Sequence, residues 1–173
     1  VRALQGKLVE AGLIDADAAS GADSFPLPRE ELEAAVRTIP DRGGNGQAGY
    51  RGLARLCSDP ATAVELLKAA FAAADSDAKA MYAASMAAFG DATGASTLIA
   101  AVKGASAWDA GWQWSGPGAY ARKHSDLDGY VLMLGRLRAR EALPALVEKA
   151  ALLTERSEFS HFRAVAMALE QIG

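Results

Sequence analysis

The chain has 173 residues, 51% hydrophobic and 23% charged, with a formal net charge of −3. That is enough for one buried core and too acidic for bulk attraction to nucleic acid or an anionic membrane surface. The single cysteine, Cys57, rules out an internal disulfide and a thiolate zinc cage, and no apolar run approaches the roughly 20 residues of a membrane span. Much of the apolar content is alanine, while strand-forming β-branched and aromatic residues are sparse, so the expected fold class is all-α.

In chain order, Val1 to Ala11 reads as a short helix ending at Gly12, and Asp15 to Ser24 as a mobile connector. The N-terminus carries neither a basic-then-apolar leader nor an initiator methionine, so the chain reads as a piece of a longer polypeptide, its compartment open. Pro28 opens a helix with Glu30 and Glu31 in its first turn, Leu32, Val36 and Ile39 on its buried stripe and Pro40 as its stop. After a loop from Asp41 to Gly49, Tyr50 to Cys57 is a helix burying Leu53 and Leu56. It forms a first hairpin with the helix that Asp59 and Pro60 open through Val64, Leu67 and Phe71. Asp77 is expected to cap a helix through Tyr82, Met86 and Phe89, and Gly90-Asp91 turns into a helix carrying Leu98, Ile99 and Val102. Leu127, Tyr130, Val131, Leu134 and Leu137 mark the next helix, and Leu143, Leu146, Val147, Ala150 and Leu153 the one after, with Pro144 in its first turn. Phe162, Val165, Ala166, Leu169 and Ile172 mark the last.

These stripes recur. Setting Ser58-Asp59 on Gly90-Asp91 gives an offset of 32 residues, Phe89 on Leu137 an offset of 48, and Leu127 on Phe162 an offset of 35. Helical hairpins at this period cannot bury their apolar faces alone, so the expected architecture is a HEAT/armadillo-like α-α superhelix, a solenoid of stacked hairpins. The alternative is an irregular α-bundle. The expected division is residues 1–48 as N-terminal helices and connectors and 49–173 as HEAT-like repeats, interrupted by an insert at 104–125. The phrase Leu134-Gly135-Arg136-Leu137 followed by Glu141-Ala142-Leu143-Pro144-Ala145-Leu146 most closely resembles a HEAT repeat.

Gly44 to Gly49 formally matches G-x-G-x-x-G, but it follows a proline-terminated helix instead of a buried strand, so it reads as a connector. The insert holds all three tryptophans, Trp108, Trp112 and Trp114, together with Tyr120, Arg122 and His124. Its indoles could pack over the scaffold, each N–H finding a carbonyl. The favoured reading is recognition, because long loops on rigid scaffolds carry function and Trp and Arg are typical interface anchors. His124 with Asp126, and Cys57 with His161, are weak acid/base and nucleophile pairs: His124 sits in a capping neighbourhood, Cys57 aligns with a core position, and nothing orients a third group. Two histidines without clustered carboxylates make no zinc site. Arg136, Arg138 and Arg140 cluster at one turn, read as solvated. No catalytic residue or metal ligand is assigned.

Several stretches carry a further likeness: Trp108-Asp109-Ala110-Gly111-Trp112, Gly116-Pro117-Gly118, Leu127-Asp128, Leu134-Gly135-Arg136, Ala142-Leu143-Pro144-Ala145, Glu148-Lys149 and Phe159 to Ala166. Together they resemble the C-terminal helical-repeat region of a bacterial family of FAD-dependent oxidoreductases. Leu4-Gln5, Leu8 and Gly12 are similar to the segment after that family's flavin domain. The resemblance implies that FAD belongs to the parent polypeptide, and that its Rossmann-like domain lies upstream as the partner of this chain. No catalytic or flavin-contacting residue carries over. A free-standing scaffold for a protein partner and a nucleic-acid-binding HEAT module are the alternatives, the second disfavoured by net acidity.

Overall fold

The computed structural model describes residues 26–41, 47–109, 112–114, 120–122 and 125–173. The helix expected at Val1 to Ala11 and the connector at Asp15 to Ser24 lie outside the described residues. Those described are all-helical apart from one short ribbon: α1 (Arg29–Arg37), α2 (Gln47–Leu56), α3 (Pro60–Ala73), α4 (Ser76–Ala88), α5 (Ala95–Gly104), β1 (Trp112–Trp114), β2 (Tyr120–Arg122), α6 (Asp126–Arg136), a 3-10 turn (Arg140–Ala142), α7 (Leu143–Ala150) and α8 (Phe159–Ile172). None of the helices is long and apolar enough to cross a membrane.

The first helices show where short-range signals sufficed. Pro28 precedes α1, and Leu32, Ala35, Val36 and Ile39 are buried. Asp59 caps α3: its Oδ1 accepts from the Thr62 N–H at 3.2 Å and its Oδ2 from the Thr62 hydroxyl at 2.6 Å. α2 begins three residues before the expected Tyr50. Gly49, read as loop, lies inside it because a side chain there has no room: a Cβ on Gly49 would sit 2.9 Å from the Ile39 carbonyl oxygen, and one on Gly52 2.7 Å from that of Ala35. The Thr38 hydroxyl reaches the carbonyls of Ala35 at 2.7 Å and Ala48 at 3.2 Å, sealing the same crossing. α2 therefore packs on α1, whereas α3 packs on α1 and α4, in place of the expected α2–α3 hairpin. Cys57 is exposed, not a core position. α4 is capped by Asp75, whose carboxylate accepts from the Ala78 N–H at 3.1 Å. Asp77, the expected cap, is inside the first turn.

From α4 onward each helix touches the next but one: α6 lies against α4 and α8, α5 against α7, and α5 also packs on α4 and α6. The 48-residue offset is reproduced at three pairs of buried positions. Tyr82 and Tyr130 are both 8% exposed, and Met86, Leu134, Leu98 and Leu146 are fully buried. The helix ends match as well. The N–H of Gly90 donates to Ala87 at 2.9 Å and that of Asp91 to Met86 at 3.1 Å. Likewise Arg138 donates to Gly135 at 2.8 Å and Ala139 to Leu134 at 3.1 Å. These are two Schellman motifs, with Gly90 at φ 85° and Arg138 at φ 53° in the left-handed position.

The other two offsets are one residue too long. Ala63 and Leu67 are buried where Gly94 and Leu98 are, an offset of 31. In α8 the buried face is His161, Ala164, Val165, Ala168 and Ile172, matching α6 at 34. Phe162 and Ala166, expected inside, are exposed. One residue turns a helix by about 100°, so the correction changes which face is buried. In α7 the buried set is Ala145, Leu146 and Lys149, while Val147 is 59% exposed.

α6 and α8 cross where Gly135 meets Ala168: a Cβ on Gly135 would sit 2.5 Å from the Ala168 Cα. Gly135→Ala is expected to destabilise the chain by roughly 1–3 kcal/mol through overpacking. Gly129→Ala in the same helix has nothing within 4 Å and should stabilise it by up to about 1 kcal/mol. Urea unfolding of the two variants checks this.

Among the described residues, three carboxyls are held below their usual range. The Thr62 hydroxyl and N–H do this for Asp59, and the Arg29 guanidinium for Glu65. At Asp91 burial pushes upward, but the Lys68 ammonium, 2.6 Å away, and Thr93 together outweigh it. A depressed folded pKa gives stability that is present above the unfolded value, about 4, and lost as pH falls through the folded one. The urea midpoint should accordingly be flat through these groups from about pH 6 to 8 and fall below about pH 4. Asp91→Asn should make the fall shallower.

Candidate functional site at the base of the tryptophan insert

The insert leaves α5 at Ala105 and returns at Ser125, the N-cap of α6. β1 and β2 pair antiparallel within it, Trp112 opposite Arg122, Gln113 opposite Ala121 and Trp114 opposite Tyr120. Trp112, Trp114, Tyr120 and Arg122, four of the six residues singled out in the insert, are the end positions of this two-stranded pairing. His124 lies outside the described residues, so its pairing with Asp126 does too.

Trp108, the sixth, has a different role. Its indole Nε1–H donates to the Lys149 carbonyl at 3.1 Å, and its ring stacks on His161 with centroids 4.6 Å apart and planes 24° from parallel. This is the packing alternative, realised for one tryptophan. His161, 2% exposed, sits in the first turn of α8 with Nδ1 2.7 Å from the Asp128 carboxylate on α6. An ionised carboxylate only accepts, so the imidazole Nδ1–H donates. Lys149, 3% exposed, donates from Nζ to the Ala105 carbonyl at the C-terminal end of α5, where a cation complements the helix dipole. Backbone and side chain of one lysine therefore fasten both ends of segment 105–108.

Asp109 closes the loop. Its Oδ2 accepts the N–H groups of Asp126 at 2.7 Å and Leu127 at 3.3 Å, and its Oδ1 accepts the Ser125 hydroxyl. The same Ser125 oxygen accepts the Asp128 N–H at 2.9 Å. Orphan donors at the start of α6 are thus satisfied from the other end of the insert. Beside this base, an open cleft of about 610 Å³ lies between the first turn of α4 and α5 and is bounded by Asp77, Lys79, Gly104 and Tyr130.

The geometry does not bring Cys57 and His161 into a pair. The Cys57 thiol donates to the Leu53 carbonyl at 3.4 Å, and His161 is taken up by Asp128 and Trp108. Among the described residues no hydroxyl or thiol is bonded to the His161 ring, and no group of three or more His, Cys, Asp or Glu could hold a metal ion. The arrangement is a clasp in which buried polar groups are matched one to one. Lys149, Asp109 and the Asp128–His161 pair went unread in the sequence because their partners lie 16 to 44 residues away, beyond any local pattern. The side chains of Arg136, Arg138 and Arg140 are exposed, as expected for a solvated turn.

Asp109→Ala removes the remote cap and should cost about 1–2 kcal/mol. Trp108→Phe keeps a ring for His161 but leaves the Lys149 carbonyl without its donor, costing about 1 kcal/mol. Thermal melts of the two variants check both values, and equal stability with wild type would mean that the clasp contributes nothing.

No protein-family model, curated protein or solved structure matches the chain, so its function has to be read from the residues and geometry above.

Proposed function

We propose that the chain is a HEAT-like α-solenoid that acts as a packing and interaction module, the C-terminal part of an FAD-dependent oxidoreductase, with the chemistry carried elsewhere in the polypeptide. The observation supporting the repeat is the 48-residue correspondence from α4–α5 to α6–α7, in burial and in the paired Schellman turns. Next-but-one packing, which buries helices too short to stand alone, is the arrangement a solenoid requires.

On this reading the flavin sits in an upstream domain. The described residues do not fit a dinucleotide cradle: Gly49, the last glycine of the G-x-G-x-x-G string, lies inside α2 against the Ile39 carbonyl, with no strand before it. No step of a flavin reaction is assigned to this chain. The insert is the recognition element. Its stem is clamped by Trp108 and Asp109, so its ends are ordered beforehand and binding costs less loop entropy. Its partner is the flavin domain of the same polypeptide.

The test compares flavin affinity and domain association in the full-length protein, wild type against Trp112→Ala/Trp114→Ala. Weaker association, with an accompanying loss of flavin affinity of about tenfold, is expected while the helical signal stays intact. Unchanged association would remove the insert as the docking element and favour a free-standing scaffold.

A further inference from the structure

The turn between α6 and α7 repeats the turn between α4 and α5 in its backbone but not in its side chains. Both are closed by the same pair of hydrogen bonds, from Gly90 to Ala87 and Asp91 to Met86 in one, and from Arg138 to Gly135 and Ala139 to Leu134 in the other. Where the first turn has Ala88, Gly90 and Ala92, the second has Arg136, Arg138 and Arg140. The geometry can therefore be made without any arginine. Arg138 is the costlier choice at its position, because it holds the left-handed conformation at φ 53°, which Gly90 adopts without a Cβ penalty. One basic residue in the last turn, Arg136, is enough to offset the carbonyl end of α6. Arg138 and Arg140 lie beyond it.

All three arginines are exposed, and between them Ala139, 5% exposed, anchors the turn to the core. None of the three has an ion-pair partner among the described residues, and Glu141 is the one acid beside them in the sequence. Four residue steps span at most about 14 Å even when extended, and here the chain is folded back, so three guanidinium groups rise from one short arc. We propose that this turn is a binding site for a phosphate group, held by Arg136, Arg138 and Arg140. Three positive charges against the single negative charge of Glu141 leave an excess that matches a phosphate dianion. A planar guanidinium also meets phosphate oxygens through two parallel N–H···O bonds, where an ammonium offers only a point charge. A long polyanion would call for basic residues spread along a groove, whereas these are confined to five residues of an otherwise acidic chain. The openness is a property of such turns: Gly90 and Ala92 are exposed as well, although α6 packs on α4 and α8 on α6.

Isothermal titration calorimetry of the 173-residue chain at physiological ionic strength, with inorganic phosphate and with phenyl phosphate, tests the site. Saturable binding at millimolar concentration or below is expected. Arg138→Gly separates the site from the fold: it should weaken binding about tenfold while the melting temperature holds or rises, because glycine suits the left-handed position. Arg140→Lys keeps the charge but loses the fork, and should weaken binding several-fold. The triple variant Arg136→Ala/Arg138→Gly/Arg140→Ala should bind neither probe. Phenyl phosphate binding no tighter than inorganic phosphate identifies the free anion as the ligand, and tighter binding identifies a phosphate carried on a larger molecule; both sustain the site. Failure of either probe to saturate the chain at millimolar concentration overturns the proposal. So does binding that survives the triple variant, or an Arg138→Gly chain that melts lower and binds as well as wild type. Tighter binding of a hexaglutamate peptide or a duplex DNA oligonucleotide than of both phosphate probes also overturns it. The outcome is independent of whether the insert binds a flavin domain.

Discussion

None of the described helices exceeds 14 residues, and α7 has only eight. Helices of that length are marginal in water even with favourable composition, so each exists because its neighbours remove its apolar face from solvent. The side chains that do this are small. Alanine and glycine line the crossings of α6 with α8 and of α1 with α2, letting backbones approach until a single added methyl would collide. Stability is thus spread over many close contacts, each depending on the register of the next.

Of the four buried polar or charged side chains among the described residues, Ser125, Lys149 and His161 gather at the base of the insert, and Ser85 lies apart in α4. An imidazole takes a carboxylate, an indole N–H and an ammonium each take a carbonyl, and one aspartate caps a helix that begins 17 residues later. Such groups would be costly if unpaired. Together they tie α5, α6, α7 and α8 to the two ends of the insert. The consequence is a loop whose two endpoints are fixed by the scaffold.

Much of the architecture was legible in the sequence. Asp59-Pro60, Gly90-Asp91 and the tyrosine-centred stripes of Tyr82 and Tyr130 each encode their own geometry within a few residues. Failures arose where a choice was set from a distance. Leu66-Leu67 and Leu98-Ile99 are equally apolar pairs, so pattern alone could not say which member faces inward, and aligning turns of unequal length shifted the register by one. Gly49 looked like loop because its reason for being glycine is a carbonyl of the preceding helix. Nothing near Lys149 in the sequence marks it as buried, since a lysine rarely is, and the carbonyl that takes its ammonium lies 44 residues earlier.

The most direct measurement of the account is urea unfolding of a chain ending at residue 157, which lacks α8, followed by circular dichroism and hydrogen exchange. If the helices are stable only through their neighbours, removing α8 should uncover α6, free Trp108 from its stack and lower the midpoint for the whole domain, with amide protection in α6 collapsing first. A truncated chain that loses only the helical signal of α8, and keeps the wild-type midpoint and α6 protection, would contradict it.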